Sequence, residues 1–508
     1  MDSDCDGITS SALFYNYLKE RLKQYHNEII YHIPEGKEHG LDSLLDWFPE
    51  NGEDSLIVVP DGGSNDFKEH AILRARGYDI LVLDHHEAEK YSEDAIVINN
   101  QLSKNYPNKF LSGVGIVYKF FECYEDIYEW SDFSIEYLDI VALGLIGDMM
   151  EMNNLENRWI LTYGLSHIQN EFFQTLVDKQ AYSLKGELNQ IGVAFYIVPL
   201  INSIIRLGTL QDKEHLFEAF IKKDKILPST KRGAAPGDTE TICEYMARIC
   251  VNTKNKQNKV RDKALELLDI QITNNCLDEN KIIILDAEDL DIPKTMTGLC
   301  AMGVVSKYKK PCLLGRVNEE GEMKGSARGV NGSELTDFKA FLDNSKLTTE
   351  VAGHANAFGY ALKESNIDKL VKYANETLKD INFNEGFYEV DFDVNGNCSY
   401  LKIMIQELTE GGEYWGQGCP EPLIYVKNIN IDSSDISIKG QNTVAFKFND
   451  IEYIKFKDDE LADLVNSFNG KININVVGHP QINEWMGRIT NQIRIEAIEI
   501  NESNIYDF

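Results

Sequence analysis

The sequence lacks the features of a secreted, membrane-spanning or disulfide-stabilised protein. No apolar run approaches the roughly 20 residues that a transmembrane helix needs. The start, Met1–Asp4, has neither the basic residues nor the apolar stretch of a signal peptide. The nine cysteines include no CxxC pair, and their odd number does not suit a disulfide framework or a zinc knuckle. We therefore expect a soluble protein of the reducing cytoplasm.

Positive charge is also scarce. The 508 residues include 50 Lys and Arg against 82 Asp and Glu, and the net charge is −32. This balance argues against a protein that coats nucleic acid by bulk attraction. Basic groups are instead local, because residues 221–263 contain eleven Lys and Arg and five Asp and Glu. That excess fits a nucleic-acid contact and a solvated helical face equally well.

Four regions with different patterns follow one another. Residues 1–150 alternate short apolar strands with amphipathic helices, which is typical of a parallel α/β sheet. Residues 151–275 read mainly as helix and include the basic segment, and residues 276–385 show a second α/β pattern. Residues 386–508 read as a small β domain with turn residues between short strands. The clearest predicted elements are strands at Ser55–Pro60, Ile80–Leu83, Ala95–Ile98, Lys281–Leu285, Cys312–Val317, Met323–Arg328 and Phe387–Phe392, and helices at Thr9–Tyr25 and Thr297–Tyr308.

Acidic residues and histidines cluster in four short motifs, each where a predicted strand or helix ends. Parallel sheets place their active sites at the carboxyl ends of the strands, so these side chains should converge. Carboxylates and imidazoles suit Mn²⁺ or Mg²⁺, and two such ions about 3.5–4 Å apart can hold a phosphodiester. The motifs are Asp2-Ser3-Asp4-Cys5-Asp6-Gly7, Pro60-Asp61-Gly62-Gly63, Asp84-His85-His86 and Gly147-Asp148.

Other interpretations of these motifs are weaker. The first motif could open an EF-hand loop, but that loop needs Glu at its twelfth position, where this chain has Leu13. Asp61 alone would prove little, since a lone Asp after a strand is usually a cap or turn residue. Asp148 ends a long apolar run, where an unpaired carboxylate is costly unless a cation or donor satisfies it. Metal binding explains the four motifs together.

The motifs resemble those of the DHH phosphoesterase superfamily, whose name comes from the triplet seen here as Asp84-His85-His86. More narrowly, the whole chain resembles the RecJ family. That resemblance implies that the second α/β region is a DHHA1 domain and the last region an OB-fold. Further matches are Ser112-Gly113-Val114-Gly115, Glu156-Asn157-Arg158, Pro199 with Asn202 and Arg206, Lys324-Gly325-Ser326-Ala327-Arg328, Gly353–Gly359 and Gly418-Cys419-Pro420-Glu421-Pro422.

The resemblance implies hydrolysis of single-stranded DNA from 5′ to 3′ with Mn²⁺ or Mg²⁺, in repair, recombination or replication. Single-stranded DNA is the expected partner, with single-strand-binding protein or a helicase as candidates and no membrane. Arg206, Ser326, Arg328 and His354 would bind substrate phosphates, a role that suits the planar fork of Arg. By carry-over the metal ligands are Asp4, Asp6, Asp61, His85 and Asp148, and Asp2, Asp84 and His86 are ligands or groups that orient them; the catalytic set is Asp4, Asp6, Asp61, His85, His86 and Asp148.

The sequence departs from the family pattern in three places. The DHHA1 glycine pair is Ala352-Gly353, and the segment 222–263 is longer than expected. The family also places a strand before the first motif, whereas here Asp4 and Asp6 come almost at once. We therefore expect that the native protein begins upstream, or that another segment holds these two residues.

Three other functions compete with the nuclease. A DHH enzyme for short oligonucleotides or cyclic dinucleotides would usually end after DHHA1, whereas more than 100 residues follow here. A non-catalytic replication scaffold should lack metal ligands, and the motifs keep them all. An inorganic pyrophosphatase has no use for an OB-like domain, which is a nucleic-acid platform.

Overall fold

Two compact units divide the chain. One comprises Met1–Asp148, Tyr163–Leu188 and Gly192–Phe387, and the other comprises Met149–Thr162, Asn189–Ile191 and Tyr388–Phe508. The first unit contains both α/β regions, and the second is built around the β domain. The structure is a computed structural model that describes residues 3–21, 28–34, 36, 40–184, 186, 188–222, 224–288, 290–383, 388–440, 442–485 and 487–502.

A three-stranded parallel sheet frames the first α/β region, as the alternating pattern predicts. Strand β1 pairs with β2, and β2 pairs with β3. The strands are short apolar runs whose side chains Val59, Val82 and Val97 enter one core. Helix α4 is apolar all round and nine of its ten residues are buried, as a fully enclosed helix requires. The elements are α1 (Cys5–Arg21), β1 (Leu56–Pro60), α2 (Phe67–Ala75), β2 (Asp79–Asp84), β3 (Ile96–Asn99), α3 (Gly113–Ile127) and α4 (Leu138–Gly147).

The middle of the chain is helical and ends in a helix of 33 residues, about 50 Å long at 1.5 Å per residue. A π-helical turn, Val193–Ile197, precedes α9. A short hairpin, β4 with β5, precedes the long helix α11 and accounts for part of the extra basic segment. The elements are α5 (Leu155–Ser166), α6 (Glu171–Lys179), α7 (Ala181–Leu184), α8 (Gln190–Gly192), α9 (Val198–Leu207), α10 (Leu210–Ile221), β4 (Ile226–Pro228), β5 (Thr239–Thr241) and α11 (Ile242–Asn274).

One stretch among the described residues, Gln190–Leu207, is long and apolar enough to cross a membrane by length and composition. Its 18 residues come closer to a span than the sequence pattern led us to expect. Half of the stretch is buried inside the protein, and it carries Arg206. A buried core helix passes the same test, so the stretch is weak evidence for a membrane span.

A mixed five-stranded sheet, in the order β6-β7-β8-β10-β9, forms the second α/β region. Only β6 and β7 run parallel, and the other pairs are antiparallel. Helix α12 packs against β7 and β8, while Phe338 and Leu370 of α13 and α14 join Phe358 in a separate core. The elements are β6 (Ile283–Asp286), α12 (Thr297–Tyr308), β7 (Cys312–Val317), β8 (Glu322–Arg328), α13 (Phe338–Ser345), β9 (Thr348–His354), β10 (Ala357–Lys363) and α14 (Ile367–Thr377).

The β domain is a seven-stranded sheet in the order β11-β12-β16-β17-β15-β14-β13. Leu401 and Ile405 of its first helix are fully buried in the core that the strands form. All nine cysteines of the chain are free thiols, in keeping with the sequence pattern. The elements are β11 (Phe392–Asn395), α15 (Leu401–Glu410), β12 (Ile424–Asp432), β13 (Ser437–Lys439), β14 (Thr443–Phe448), β15 (Ile451–Lys455), α16 (Asp459–Val465), β16 (Lys471–Trp485) and β17 (Arg488–Glu502).

Two predicted elements need correction. The strand expected at Phe387–Phe392 is wrong over its described part, because β11 starts only at Phe392. Before it, the Asp391 carboxylate accepts a hydrogen bond from the Leu423 N–H, so a side chain occupies that pairing position. The described part of the first acidic motif, residues 3–7, lies at and within the start of a helix, α1.

Candidate metal centre and phosphate-binding groups

The parallel sheet places two of the acidic motifs side by side. Asp61 follows the last residue of β1, and its N–H donates to the Leu83 carbonyl of β2 at 2.8 Å. Asp84 is the last residue of β2, so His85 leaves the sheet at the same edge. Asp61 has a φ of 62°, a left-handed conformation that is uncommon outside glycine, although Asp tolerates it better than most residues. The hydrogen bond to Leu83 holds the backbone of this turn against β2.

Three carboxylates converge on the Nε2 atom of His85. This nitrogen lies 3.2 Å from an oxygen of Asp61, 3.4 Å from one of Asp148 and 3.9 Å from one of Asp6. Asp6 and Asp61 are almost completely buried, and like charges this close repel unless a cation lies among them. Ligand atoms within 4.8 Å of one another form two overlapping groups, Asp6–His85–Asp148 and Asp61–His85–His86. The four sequence motifs therefore meet at one place.

Helix α3 holds the carboxylate of Asp6. The Asp6 oxygens accept hydrogen bonds from the Gly113 N–H at 2.6 Å, the Ser112 hydroxyl at 3.0 Å and the Val114 N–H at 3.2 Å. These donors lie at the amino end of a 15-residue helix, where backbone N–H groups and the helix dipole favour a negative charge. Asp6 is thus fixed by a neighbouring helix, which is the role we expected of a preceding strand or another segment.

Asp84 orients the two histidines. One of its oxygens accepts from the His85 and His86 N–H groups and contacts the His86 Nδ1 at 2.8 Å, and the other accepts from the Ser64 N–H at 3.0 Å. Burial would raise the pKa of Asp84, but these hydrogen bonds and the His86 charge hold the pKa well below its usual value. Asp84 belongs to neither of the two metal-holding groups among the described residues. Its contacts therefore favour orientation over ligation.

The other predicted residues of the first motif lie at the edge of this cluster. The Asp4 carboxylate accepts a hydrogen bond from the Gly7 N–H at 2.9 Å and so caps α1. Asp4 is partly exposed, and it belongs to neither metal-holding group. Asp2 lies outside the described residues. The direct ligand role predicted for Asp4 stays a prediction, and so does the role of Asp2.

The pKa of the Cys5 thiol reflects the negative charge of the acidic cluster. Burial raises the pKa of its thiol well above the usual value, and the carboxylates of Asp4, Asp6, Asp148 and Asp61 raise it further. The thiol contacts the Leu143 carbonyl and does not belong to the metal-holding groups. A site of oxygen and imidazole ligands in a strongly negative field fits Mn²⁺ or Mg²⁺ and lacks the thiolates of a structural zinc site.

Arg206, Ser326 and Arg328 lie together in a second cluster. Ser326 and Arg328 are two apart on β8, so they share one face of the sheet. The Ser326 hydroxyl lies 2.9 Å from the hydroxyl of Thr297, the first residue of α12. A Cβ on Gly298 would collide with the Arg328 guanidinium, so that group lies over the first turn of α12. The amino end of this 12-residue helix adds N–H donors to the hydroxyls and the guanidinium.

Arg206 and Arg328 are close enough for their charges to interact. Burial lowers the pKa of Arg328, and the charge of Arg206 lowers it further. Arg206 is solvent-exposed, yet the protein around its guanidinium lowers its pKa, while the Asp4 carboxylate acts in the opposite direction. Thr295 next to α12 donates a hydrogen bond to the Arg206 carbonyl at 2.7 Å. Arg206 therefore connects the acidic cluster with the basic one.

His354 lies further away in the same sheet. It pairs with Ala357, whose partner on the other side is Arg328. Directly paired residues point to the same face, and two strand spacings separate His354 from Arg328 by about 10 Å. The exposed His354 thus faces the same surface without joining the arginine cluster.

Several contact residues were not predicted as site residues. Ser64 follows the glycines of the second motif, and its position so close to Asp61 was a usable signal. Thr297 starts a predicted helix, which makes it a candidate for an anion contact. Lys254 and Gln257 of α11 carry no motif, and only packing brings them close to Arg206.

Comparisons with known proteins agree with this geometry. The model of the DHH family, N-terminal domain, matches residues 1–145, and the model of the RecJ OB domain matches residues 392–497. The putative SPbeta prophage-derived single-strand DNA-specific exonuclease YorK of Bacillus subtilis is 38% identical over 507 residues, which are 98% of this chain and 86% of that protein. The chain belongs to the RecJ family. The RecJ resemblance seen in the motifs is therefore confirmed.

Other RecJ proteins are more distant in sequence. The single-stranded-DNA-specific exonuclease RecJ of Bacillus subtilis is 26% identical over 524 residues, covering 100% of this chain and 61% of that protein. The crystal structure of RecJ in complex with Mn²⁺ from Thermus thermophilus matches with a TM-score of 0.73 and 19% identity, over 99% of this chain and 68% of that one. The same protein in complex with Mg²⁺ matches with a TM-score of 0.68. These matches establish a shared fold.

Proposed function

We propose that this protein is a metal-dependent exonuclease that hydrolyses single-stranded DNA from its 5′ end and releases nucleotides. The observation that carries the proposal is the convergence of Asp6, Asp61 and Asp148 on His85. The names of the YorK and RecJ relatives, which describe single-strand-specific exonucleases, support the same substrate. The OB domain supports a polymeric strand over a cyclic dinucleotide, since small-molecule relatives have no need of it.

The residues of the cluster divide the work. Asp6, Asp61, His85 and Asp148 would hold Mn²⁺ or Mg²⁺, which supplies a Lewis acid and a nucleophile at neutral pH. Asp84 fixes the ring of His86 through Nδ1, so the other ring nitrogen can hold a proton toward the phosphate. His86 is about half exposed, which leaves room for a substrate. Arg206, Ser326 and Arg328, with His354 beside them, would bind the phosphates of the strand.

The direct test removes one ligand at a time. Asp61→Ala and His85→Ala should each lower the rate on 5′-phosphorylated single strands at least about 10²-fold, the scale of losing one electrostatic stabiliser. Rates are measured with Mn²⁺ and with EDTA, and EDTA should abolish hydrolysis by the wild type. Since ligands that bind only the folded state raise its stability, Mn²⁺ should raise the Tm of the wild type and not of either variant.

The exposed residue Glu53 offers a matched control, because it is acidic and lies in the same region. Glu53→Ala should keep both the rate and the Mn²⁺ effect on Tm. Near-normal rates in Asp61→Ala with Mn²⁺ would remove the metal assignment. Release of internal fragments in place of mononucleotides would remove the exonuclease assignment.

The cellular setting is a further part of the proposal. Nine free thiols suit a reducing cytoplasm. A role in DNA repair, recombination or replication follows from the substrate, and single-strand-binding protein and helicases stay candidate partners. A pull-down with purified single-strand-binding protein tests the first of them.

A further inference from the structure

A third cation, Lys254 of α11, lies next to the arginine cluster. Helices α9 and α11 contact each other where the Ser203 hydroxyl donates to the Cys250 carbonyl at 3.3 Å. One helical turn further along each helix are Arg206 and Lys254. Burial lowers the pKa of Lys254, and the charges of Arg206 and Arg261 lower it further. Geometry and electrostatics therefore agree that Lys254 faces the same space as Arg206.

The same stretch of α11 also approaches the first turns of α12. A Cβ on Gly303 of α12 would lie 2.7 Å from the Leu265 side chain of α11. One turn earlier, Arg261 is close enough to Cys300 to oppose the rise that burial causes in the pKa of that thiol. A further turn back leads to Gln257 on α11 and to the start of α12, which the Arg328 guanidinium covers.

Gln257 is a buried amide in an unusual state. Its side chain is fully buried, and its Oε1 accepts from the Lys254 ammonium at 2.9 Å. Its Nε2 has no hydrogen-bond partner among the described residues. Buried donors without an acceptor are rare in native proteins. The Lys254 ammonium uses one of its three N–H groups for Gln257, and the Gln257 Nε2 has no acceptor among the described residues. Both groups could therefore donate hydrogen bonds to a bound anion.

Carboxylates do not neutralise this cluster. Asp262 contacts Arg261, but in the described part of the chain no ion pair involves Arg206, Lys254 or Arg328 within 4.0 Å. Lys254 and Arg328 are partly buried, and burying cations without carboxylate partners is costly. The cost is offset when a substrate brings the negative charge.

We propose that Lys254, positioned by Gln257, is a further substrate-binding residue that recognises the charge of a 5′-terminal phosphate together with Arg206 and Arg328. The inference rests on the proposed function and specifies which kind of DNA end this site binds. A terminal phosphate carries about −1.5 to −2 charges at pH 7, whereas an internal phosphodiester carries about one. Lys254 should therefore favour 5′-phosphoryl ends over 5′-hydroxyl ends.

The test compares Lys254→Gln with Lys256→Gln, an exposed lysine of the same helix. Binding of a 3′-fluorescent thymidine dodecamer with either a 5′-phosphate or a 5′-hydroxyl is measured by anisotropy in EDTA, so no catalysis is needed. Lys254→Gln should weaken binding of the phosphorylated strand about 10-fold or more, the lower end expected for a charge-assisted hydrogen bond, and of the hydroxyl strand less than about 2-fold. Lys256→Gln should change neither, and Lys254→Arg should keep part of the preference.

Each outcome has one meaning. Equal weakening on both strands, or none, would overturn the end-recognition role of Lys254. A wild type that shows this end preference but cleaves neither strand with Mn²⁺ would refute the exonuclease and leave the phosphate site standing. With active wild type, KM for the phosphorylated strand should rise in Lys254→Gln while kcat changes little, since the proposal gives Lys254 a role in binding the strand end and not in holding the metal.

Discussion

At the scale of single residues, two glycines allow the acidic groups to come together. A Cβ on Gly113 would collide with the Asp61 carboxylate, and a Cβ on Gly144 would lie 2.6 Å from an oxygen of Asp6. Gly113 is the first residue of α3, and Gly144 lies inside α4, where glycine costs about 1 kcal/mol relative to alanine. Glycine at these positions lets the carboxylates of Asp61 and Asp6 approach the helix backbone closely, which a side chain would prevent.

The substitution Gly113→Ala tests this close approach. The added methyl must displace Asp61, and a misplacement of about 1 Å can cost 10²-fold in rate. We expect kcat on single-stranded DNA to fall at least about 10-fold. Gly115→Ala in the same helix is the matched control, because the three atoms nearest its added methyl all belong to the Leu111 side chain. That variant should lose stability by about 1–3 kcal/mol through overpacking and keep its activity when folded. Equal activity losses in both variants would point to unfolding.

Residue-level prediction from the sequence depended on whether a side chain sits at the end of a recognisable element. Asp61 and His85 follow neighbouring parallel strands, so their convergence could be foreseen from the topology of the sheet, whereas Asp148 follows the apolar helix α4. Lys254 and Gln257 lie in the middle of a long helix, and nothing local separates them from the exposed Lys256. Their position depends on the packing of α11 against α9 and α12, which no spacing encodes.

At the scale of elements, four of the eleven cations of the basic segment contact two acids, Glu240 and Glu218. The Glu240 carboxylate of β5 is fully buried and contacts Arg248 at 2.5 Å and Lys231 at 3.2 Å. At the end of α10, Glu218 contacts Lys222 and Lys225 at 3.0 and 2.5 Å. The sequence left open whether the basic excess contacts nucleic acid or forms a solvated helical face. For these four cations the contacts favour a structural role at the hairpin and at the helix ends.

The substitution Glu240→Gln should lower the free energy of unfolding by about 1–3 kcal/mol at pH 7, the scale of a hydrogen bond to a charged group left unsatisfied. Burial raises the pKa of Glu240, but hydrogen bonds from Arg248 and Lys231 lower it below the usual value. A lowered folded-state pKa stabilises above the unfolded pKa of about 4.3, and that gain is lost as the pH falls. The difference from wild type in urea unfolding should therefore shrink below about pH 4.

Glu244→Gln is the control for this network. Glu244 contacts the same Lys231 at 3.5 Å but is about half exposed, so we expect an effect below about 1 kcal/mol. A loss in Glu240→Gln that is independent of pH would mean that packing, and not charge, explains its effect.

Element boundaries were predictable where periodicity and turn residues agree. Helix Thr297–Tyr308 and strand Cys312–Val317 have the predicted bounds. The first helix begins at Cys5 and not at Thr9, because Asp4 caps it and Asp6 is held by α3. The contacts of Asp6 join residues more than 100 positions apart, so the local pattern could not place the start.

At the scale of the whole molecule, the overall charge is negative, while the cations proposed to bind DNA are concentrated around Arg206. The net charge of −32 repels DNA in bulk, and several cations of the OB domain lie beside acids. Arg206, Lys254 and Arg328 lie close to one another, and in the described part of the chain none of them forms an ion pair within 4.0 Å. Ion pairs of the OB domain include Lys402–Asp450, Lys427–Asp393, Lys439–Glu452 and Arg494–Glu421.

This distribution predicts a weak dependence of DNA binding on salt. If Arg206, Lys254 and Arg328 account for about three phosphate contacts, the slope of log K against log salt should be about −2, since single strands give about −0.7 per contact. Raising salt from 50 to 200 mM should then weaken binding of a phosphorylated dodecamer roughly 20-fold. Arg328→Gln should flatten the slope by about 0.7, and Lys256→Gln should leave it unchanged. Titrations at four salt concentrations in EDTA measure both slopes. A wild-type slope steeper than about −6 would show that the strand contacts many more cations than Arg206, Lys254 and Arg328. It would also indicate that cations of the OB-domain ion pairs bind DNA phosphates instead.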